Sequence, residues 1–115
     1  MKPIQIIETF DRKNNRFILS ICHIDYDVSD TVAQIMSNKY GDIITEKLDN
    51  LWGTLIIMQS NEFKYVISYD EDYRDNELHI SYNENYIDNK NTIFHNELKN
   101  KLVAITDELN LALNQ

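Results

Sequence analysis

The sequence is poor in the residues that build several specialised kinds of site. Its 115 residues include one cysteine, one proline and two glycines. The single cysteine, Cys22, excludes an internal disulfide and a zinc site built on cysteines. Two glycines are too few for a glycine-rich phosphate-binding loop, and the chain has no Walker loop, dinucleotide fingerprint or nucleophile elbow. We therefore expect no cofactor.

Long apolar runs are also missing. The longest uninterrupted run has four residues, as at residues 55–58. A transmembrane helix needs about 20 apolar residues, and a secretory signal needs roughly 7–15. The composition, 43% hydrophobic and 26% charged, is ordinary for a globular protein. We therefore expect a single cytoplasmic domain over residues 1–115 that does not bind membranes.

Positive charge is scarce, and the excess of negative charge is local. The net charge is −8, and residues 70–88 contribute most of it, with seven acids and one arginine. Such a segment repels phosphate backbones and attracts basic proteins. Direct nucleic-acid binding is therefore not expected, whereas a basic protein partner is. The alternative is that the acids only keep the protein in solution.

The pattern of apolar residues predicts five strands and two helical regions. The predicted strands are residues 4–10, 17–24, 54–59, 63–69 and 78–82. A helical region starts with Ser29 or Asp30 as its N-cap and carries an apolar stripe from Val32 to Leu51. Gly41 interrupts this stripe, so the region is one helix or two pieces. The last helix covers residues 92–113.

This β-β-α-β-β-β-α order is typical of the α+β class. We expect a mostly antiparallel sheet of about five strands, with both helical segments packed on one face. The pattern does not specify the order of strands in the sheet. Trp52 follows the first helical region, where a tryptophan most often fills the junction between helix and sheet, and an exposed anchor is the alternative.

No arrangement of residues indicates catalysis or metal binding. Asp25, Asp27 and Asp30 form a D-x-D-x-x-D pattern, but neither this run nor the acids of 70–77 have the glycine and glutamate of an EF-hand loop. Cys22 and His23 are adjacent, so on a strand they point to opposite faces. We expect no catalytic residue, no metal site and no enzyme activity. The alternative is a hydrolase in which His79 or His95 acts as a base beside a carboxylate.

Tyrosines interleaved with acids indicate a protein-binding surface. Tyrosine and arginine are enriched at interfaces, and surrounding carboxylates steer a basic partner and pair with its cations. The candidate partner-binding residues are Asp70, Glu71, Asp72, Tyr73, Asp75 and Glu77, with Asp25 and Asp27 from the second strand's end. If the first hairpin lies beside the third, the two acidic segments form one patch.

In size, acidity and α+β layout, the whole chain resembles the immunity proteins of bacterial toxin–immunity systems, including contact-dependent inhibition. That resemblance implies one-to-one binding of a cognate toxin domain, often a basic nuclease, whose active site is blocked or distorted. A DNA mimic that occupies a nucleic-acid enzyme shares the same charge logic. The main alternative is a structural or regulatory subunit that self-associates and has no toxin partner. Whether the chain is a monomer or a homodimer stays open.

Overall fold

The computed structural model describes residues 5–11, 13, 16–41, 43–60, 63–82 and 92–114. The elements follow one another as two strands, a helix, four strands and a helix. They are β1 (Gln5–Asp11), β2 (Arg16–Cys22), α1 (Ser29–Tyr40), β3 (Ile43–Asn50), β4 (Gly53–Gln59), β5 (Phe63–Asp70), β6 (Asp75–Tyr82) and α2 (Thr92–Leu113). Neither helix, over the residues described, is long and apolar enough to cross a membrane.

The strands form one antiparallel sheet in the order β1-β2-β6-β5-β4-β3. β2 and β6 are neighbours, with Leu19 opposite Leu78, so the first hairpin lies directly beside the hairpin of β5 and β6. The predicted α+β class and antiparallel sheet are confirmed. The described part of the chain contains six strands, whereas the sequence predicted about five.

The additional strand is β3, which the sequence placed in the first helical region. Helix α1 ends at Tyr40 because Gly41 adopts a left-handed conformation (φ 68°) and its amide donates to the carbonyl of Ser37 at 2.9 Å. This is a common way to stop a helix. The chain beyond it enters β3 with three β-branched residues, Ile43, Ile44 and Thr45, which favour extended backbone. The helical interpretation of residues beyond Gly41 was therefore wrong.

The misleading apolar stripe has a simple origin. Ile44 and Leu48 are four residues apart, as on one face of a helix. In β3 they lie on opposite faces, because a bulge between Ile44 and Glu46 shifts the register by one residue. Leu48 pairs with Leu55 of β4 and faces away from the helices.

Both helices pack on one face of the sheet. Burial alternates along β2, β4 and β5, with every second residue inside. Helix α1 buries Val32, Ala33 and Met36 against this face, and α2 adds Leu102, Ile105 and Leu109 to the same core. Each fully buried Leu or Ile side chain contributes roughly 1.5–3 kcal/mol, so this face fixes the register of the sheet.

The other face of the sheet, which we call the open face, is not covered by either helix. It carries the alternate residues of each strand, including the apolar side chains Ile18, Leu48, Leu55, Ile57 and Val66. Leu48 is 49% exposed, and the other four are half-buried by their neighbours.

Candidate protein-binding site

Three connections meet at one end of the sheet, where β2 leads into loop 23–28, β3 turns into β4 and β5 turns into β6. Helix α1 begins at the same end. Carboxylates are concentrated there, so we call this region, residues 23–30, 49–52 and 70–75, the acidic end. Its acids are Asp25, Asp27, Asp30, Asp49, Asp70, Glu71, Asp72 and Asp75.

The structure brings most of the predicted binding residues together at the acidic end. Asp70, Glu71, Asp72, Tyr73 and Asp75 form the β5–β6 turn and its flanks, and all are exposed. Asp25 reaches the same place from loop 23–28, because β2 pairs with β6. Its Oδ2 lies 3.9 Å from Nη1 of Arg74. The two acidic segments therefore form a continuous patch.

The carboxylate of Asp70 shapes the β5–β6 turn. Its Oδ1 accepts hydrogen bonds from the amides of Asp72 (2.9 Å) and Tyr73 (3.2 Å). Arg74 then returns the chain to β6 with a positive φ of 54°. The amide of Glu71 donates to the carbonyl of Trp52 at 3.0 Å, which links this turn to the neighbouring β3–β4 turn.

Asn76 fixes loop 23–28 against β6. It is the buried polar residue of the acidic segment, at 3% exposure. Its Nδ2 donates to the carbonyl of Tyr26 at 2.9 Å, and its Oδ1 accepts the amide of Val28 at 3.1 Å. Tyr69 adds a bond from its hydroxyl to the carbonyl of Asp25 at 3.2 Å. No sequence pattern indicates this role, because Asn76 lies among exposed acids.

Asp27, a predicted binding residue, has its carboxylate engaged within the protein. Oδ1 accepts the amide of Ser29 at 2.8 Å, and Oδ2 accepts the hydroxyl of Thr54 at 2.5 Å. The predicted N-caps Ser29 and Asp30 are therefore wrong: both lie inside α1, and the amide of Ser29 is satisfied by Asp27. Burial acts to raise the pKa of Asp27, but the bonds from Thr54 and Ser29, with the ammonium of Lys47, outweigh it and lower the pKa.

Large apolar side chains are exposed beside these acids. Leu51 is 89% exposed, Trp52 72%, Tyr73 77% and Tyr26 64%. The expectation that Trp52 fills a helix–sheet junction was wrong, because the residues before it form a strand and place it in a hairpin turn. The sequence also hid Leu51, which fitted the apolar stripe of a helix.

Glu77 lies on the open face, adjoining the acidic end. Its Oε1 is 3.0 Å from Nε2 of His79, whose side chain is 14% exposed. Within the described residues, no hydroxyl or thiol is hydrogen-bonded to this imidazole. No three metal-binding side chains come together in that part of the chain either. The side chain of His95, the other candidate base, lies outside the described residues.

Two clefts meet on the open face next to the acidic end. A cleft of about 750 Å³ runs beside the end of β2 and the residues that follow it, including Cys22 and His23. A second cleft, of about 410 Å³, lies beside Trp52 and β4. Asp75 and Glu77 line both clefts, so together the two form what we call the groove, with acids at its centre.

No protein-family model matches this sequence, and comparisons with curated proteins and with solved structures gave no significant match.

Proposed function

We propose that this protein is a non-enzymatic inhibitor that binds and neutralises a cognate basic toxin domain, such as a nuclease, through the acidic end. One observation carries the proposal. The exposed carboxylates of three connections surround exposed large apolar side chains, of which Trp52 and Tyr73 are the most prominent aromatics.

The two kinds of side chain have different roles in such a complex. Carboxylates accelerate encounter with a basic protein and align it, whereas they contribute less to the affinity. Affinity in protein interfaces is concentrated in a few buried aromatic or arginine anchors. Trp52 and Tyr73 supply such anchors, because an exposed aromatic ring gains contact area at low entropic cost when a partner covers it.

Neutralisation follows from the same charges. A nuclease presents lysines and arginines to the phosphates of its substrate. Carboxylates placed against those cations compete directly with the phosphates. The acidic end disfavours direct nucleic-acid binding by this protein, since both surfaces carry the same sign of charge.

The proposal is tested by capture and by inhibition. The tagged protein is incubated with its native lysate at low salt, and bound proteins are eluted as the salt rises. We expect a stoichiometric basic protein that a double Trp52→Ala, Tyr73→Ala variant does not retain, and whose toxic activity an equimolar amount of this protein abolishes. Recovery of the chain alone, at a mass above the monomer, contradicts the proposal and favours a self-associating subunit.

A further inference from the structure

The groove differs along its length. Its arm beside β3 and β4 is lined by the apolar side chains of Leu48 and Leu55, on a sheet face that no described helix covers, and by Trp52 in the β3–β4 turn. Its centre contains Asp75 and Glu77, and the side chain of Glu77 is 38% exposed. One groove therefore offers an apolar surface and a negative centre.

The arginine that lines the groove is directed away from this centre. Arg74 lies in the arm beside β2. Arg74 is the nearest base, and its guanidinium is directed to Asp25, at 3.9 Å. Asp70 also lines the apolar arm and adds to the negative charge next to Asp75. The groove is therefore complementary to a ligand that is both basic and apolar.

We propose that the groove seats an extended segment of a basic protein, with a lysine or arginine against Asp75 and Glu77 and an apolar side chain against Trp52 and Leu48. This inference rests on the proposed function, because the segment belongs to the partner that the acidic end attracts. The inference specifies that an extended segment of the partner enters the groove, and it specifies the residue pattern by which that segment is recognised.

The sheet sets the spacing of that pattern. Neighbouring strands lie about 4.8 Å apart, so the three steps from Glu77 on β6 to Leu48 on β3 span about 14 Å. In an extended segment, residues four apart are separated by about 13 Å and project to the same side. The basic and the apolar residue are therefore four positions apart.

Trp52 is the single tryptophan of the chain, so its fluorescence reports directly on the groove. The probes are capped peptides, Lys-Ser-Thr-Ser-Leu and its reverse, compared with peptides in which Lys and Leu are two positions apart or Glu replaces Lys. We expect one of the first two to shift the Trp52 emission to shorter wavelength, in a saturating titration with a dissociation constant of about 1 mM. The comparison peptides bind at least about threefold more weakly.

Variants of the protein separate the groove from general attraction. Glu77→Gln lowers the affinity for the peptide by about threefold, since an exposed ion pair is lost. Leu48→Asn lowers this affinity by about fivefold, because apolar contact is lost. Asp72→Asn, which removes an acid of the turn outside the groove lining, changes the affinity by less than about twofold.

Several results overturn the inference. They are a titration without saturation, equal binding of all peptides, an Asp72→Asn effect as large as that of Glu77→Gln, or a dimer in sedimentation whose groove no peptide enters. None of these results contradicts the proposed function, which is tested separately by whether the protein captures and inhibits a toxin. Conversely, peptide binding without any such toxin supports the groove and contradicts only the proposed function.

Discussion

The amide of Glu71 donates a hydrogen bond to the carbonyl of Trp52 at 3.0 Å, and this contact joins two hairpin turns into one surface. Trp52 precedes β4 and Glu71 follows β5, and these two strands are paired neighbours. The bond therefore holds the exposed indole beside the carboxylates of the β5–β6 turn. The side chains that we propose as the anchor and as the attracting charges therefore lie on two turns that are joined through their backbones.

Gly53 makes this arrangement possible, and we expect Gly53→Ala to destabilise the protein strongly. Its φ is 141°, and a Cβ at this position lies 1.9 Å from the carbonyl oxygen of Tyr69. Both the backbone conformation and the contact exclude a side chain, so the free energy of unfolding falls by about 3 kcal/mol. Urea unfolding measures this loss.

Gly41→Ala is the matched control. Gly41 is also left-handed, with φ of 68°, but nothing lies within 4 Å of a Cβ there. The loss is then about 1 kcal/mol, from the backbone alone. Equal losses at the two glycines contradict the close approach of Gly53 to β5.

Asn76→Ala removes the side-chain hydrogen bonds that hold loop 23–28, which go to the amide of Val28 and to the carbonyls of Ile24 and Tyr26. We expect a loss of about 2–3 kcal/mol in unfolding free energy and faster hydrogen exchange at the amide of Val28, which donates to Asn76. Asn38→Ala is the control, since Asn38 is exposed and accepts only a surface bond from Gln34. An unchanged rate of hydrogen exchange at the amide of Val28 contradicts the role of Asn76 in holding this loop.

Much of the sheet could be predicted because its strands alternate between a buried and an open face. Phe63 to Tyr69 shows this alternation in sequence and has it in structure. Residues 43–50 lack that signal, since β3 is an edge strand with exposed side chains and a bulge that breaks the period. An edge strand buries too little for burial to dictate its residues.

The site could be predicted only in part, for a similar reason. The acids of residues 70–75 are adjacent in sequence, so their clustering needs no knowledge of the fold. The approach of Asp25 to Arg74 depends on the pairing of β2 with β6, which the sequence pattern does not reveal. The sequence misplaces Trp52 because its neighbours fit the stripe of a helix. It does not reveal the role of Asn76, because the side chain of Asn76 is hydrogen-bonded to a loop that is distant in sequence.

Lys101 of α2 lies over three aromatic rings, at 4.4 Å from the centroid of Tyr40, 4.9 Å from Phe63 and 5.7 Å from Tyr65. This contact attaches α2 to α1 and to β5. We expect Lys101→Ala to lower the unfolding free energy by about 1–2 kcal/mol. We expect Lys101→Arg to lower it by much less, because arginine keeps the positive charge.

The control is Lys99→Ala, which removes an exposed ion pair with Glu8 at 3.6 Å. Such a pair contributes less than about 1 kcal/mol. Chemical denaturation compares the three variants. A Lys101→Arg variant as unstable as Lys101→Ala contradicts a stabilising cation–π contact, because arginine keeps a positive charge at this position.

The lowered pKa of Asp27 predicts a dependence of stability on acid. Because the folded pKa lies below its ordinary value of 3.8, the unfolded state binds the proton more readily, and stability rises with pH between the two values. The contribution is complete at neutral pH and is lost as the pH falls below about 4 through the folded pKa.

We therefore expect Asp27→Asn to be less stable than the natural protein at pH 7, with a difference that narrows at pH 3. Urea unfolding at pH 7, 5 and 3 gives this comparison. Asp72→Asn is the control for the change of net charge, since Asp72 is exposed in the β5–β6 turn. If the difference in unfolding free energy between Asp27→Asn and the natural protein stays constant with pH, the hydrogen bonds from Thr54 and Ser29 do not stabilise the charged form of Asp27.

The charge of the acidic end predicts how fast a basic partner associates. Glu71→Lys with Asp72→Lys reverses two exposed carboxylates of the β5–β6 turn. We expect the association rate with the captured partner to fall by at least about tenfold at low salt, and its dependence on salt to flatten, because steering is lost while the apolar anchors remain.

A second double variant, Asp107→Lys with Glu108→Lys, makes the same change in net charge away from the acidic end. Both residues lie on α2, and Glu108 contacts Lys39 near the end of α1 that is opposite to the acidic end. If only net charge mattered, both variants would slow association equally. If the acidic end is the docking surface, the second variant keeps most of the rate, because charges more than a Debye length from the contact, about 8 Å at physiological salt, are largely screened. Stopped-flow fluorescence of Trp52 over a salt series distinguishes the two, and equal slowing places the docking surface elsewhere on the molecule.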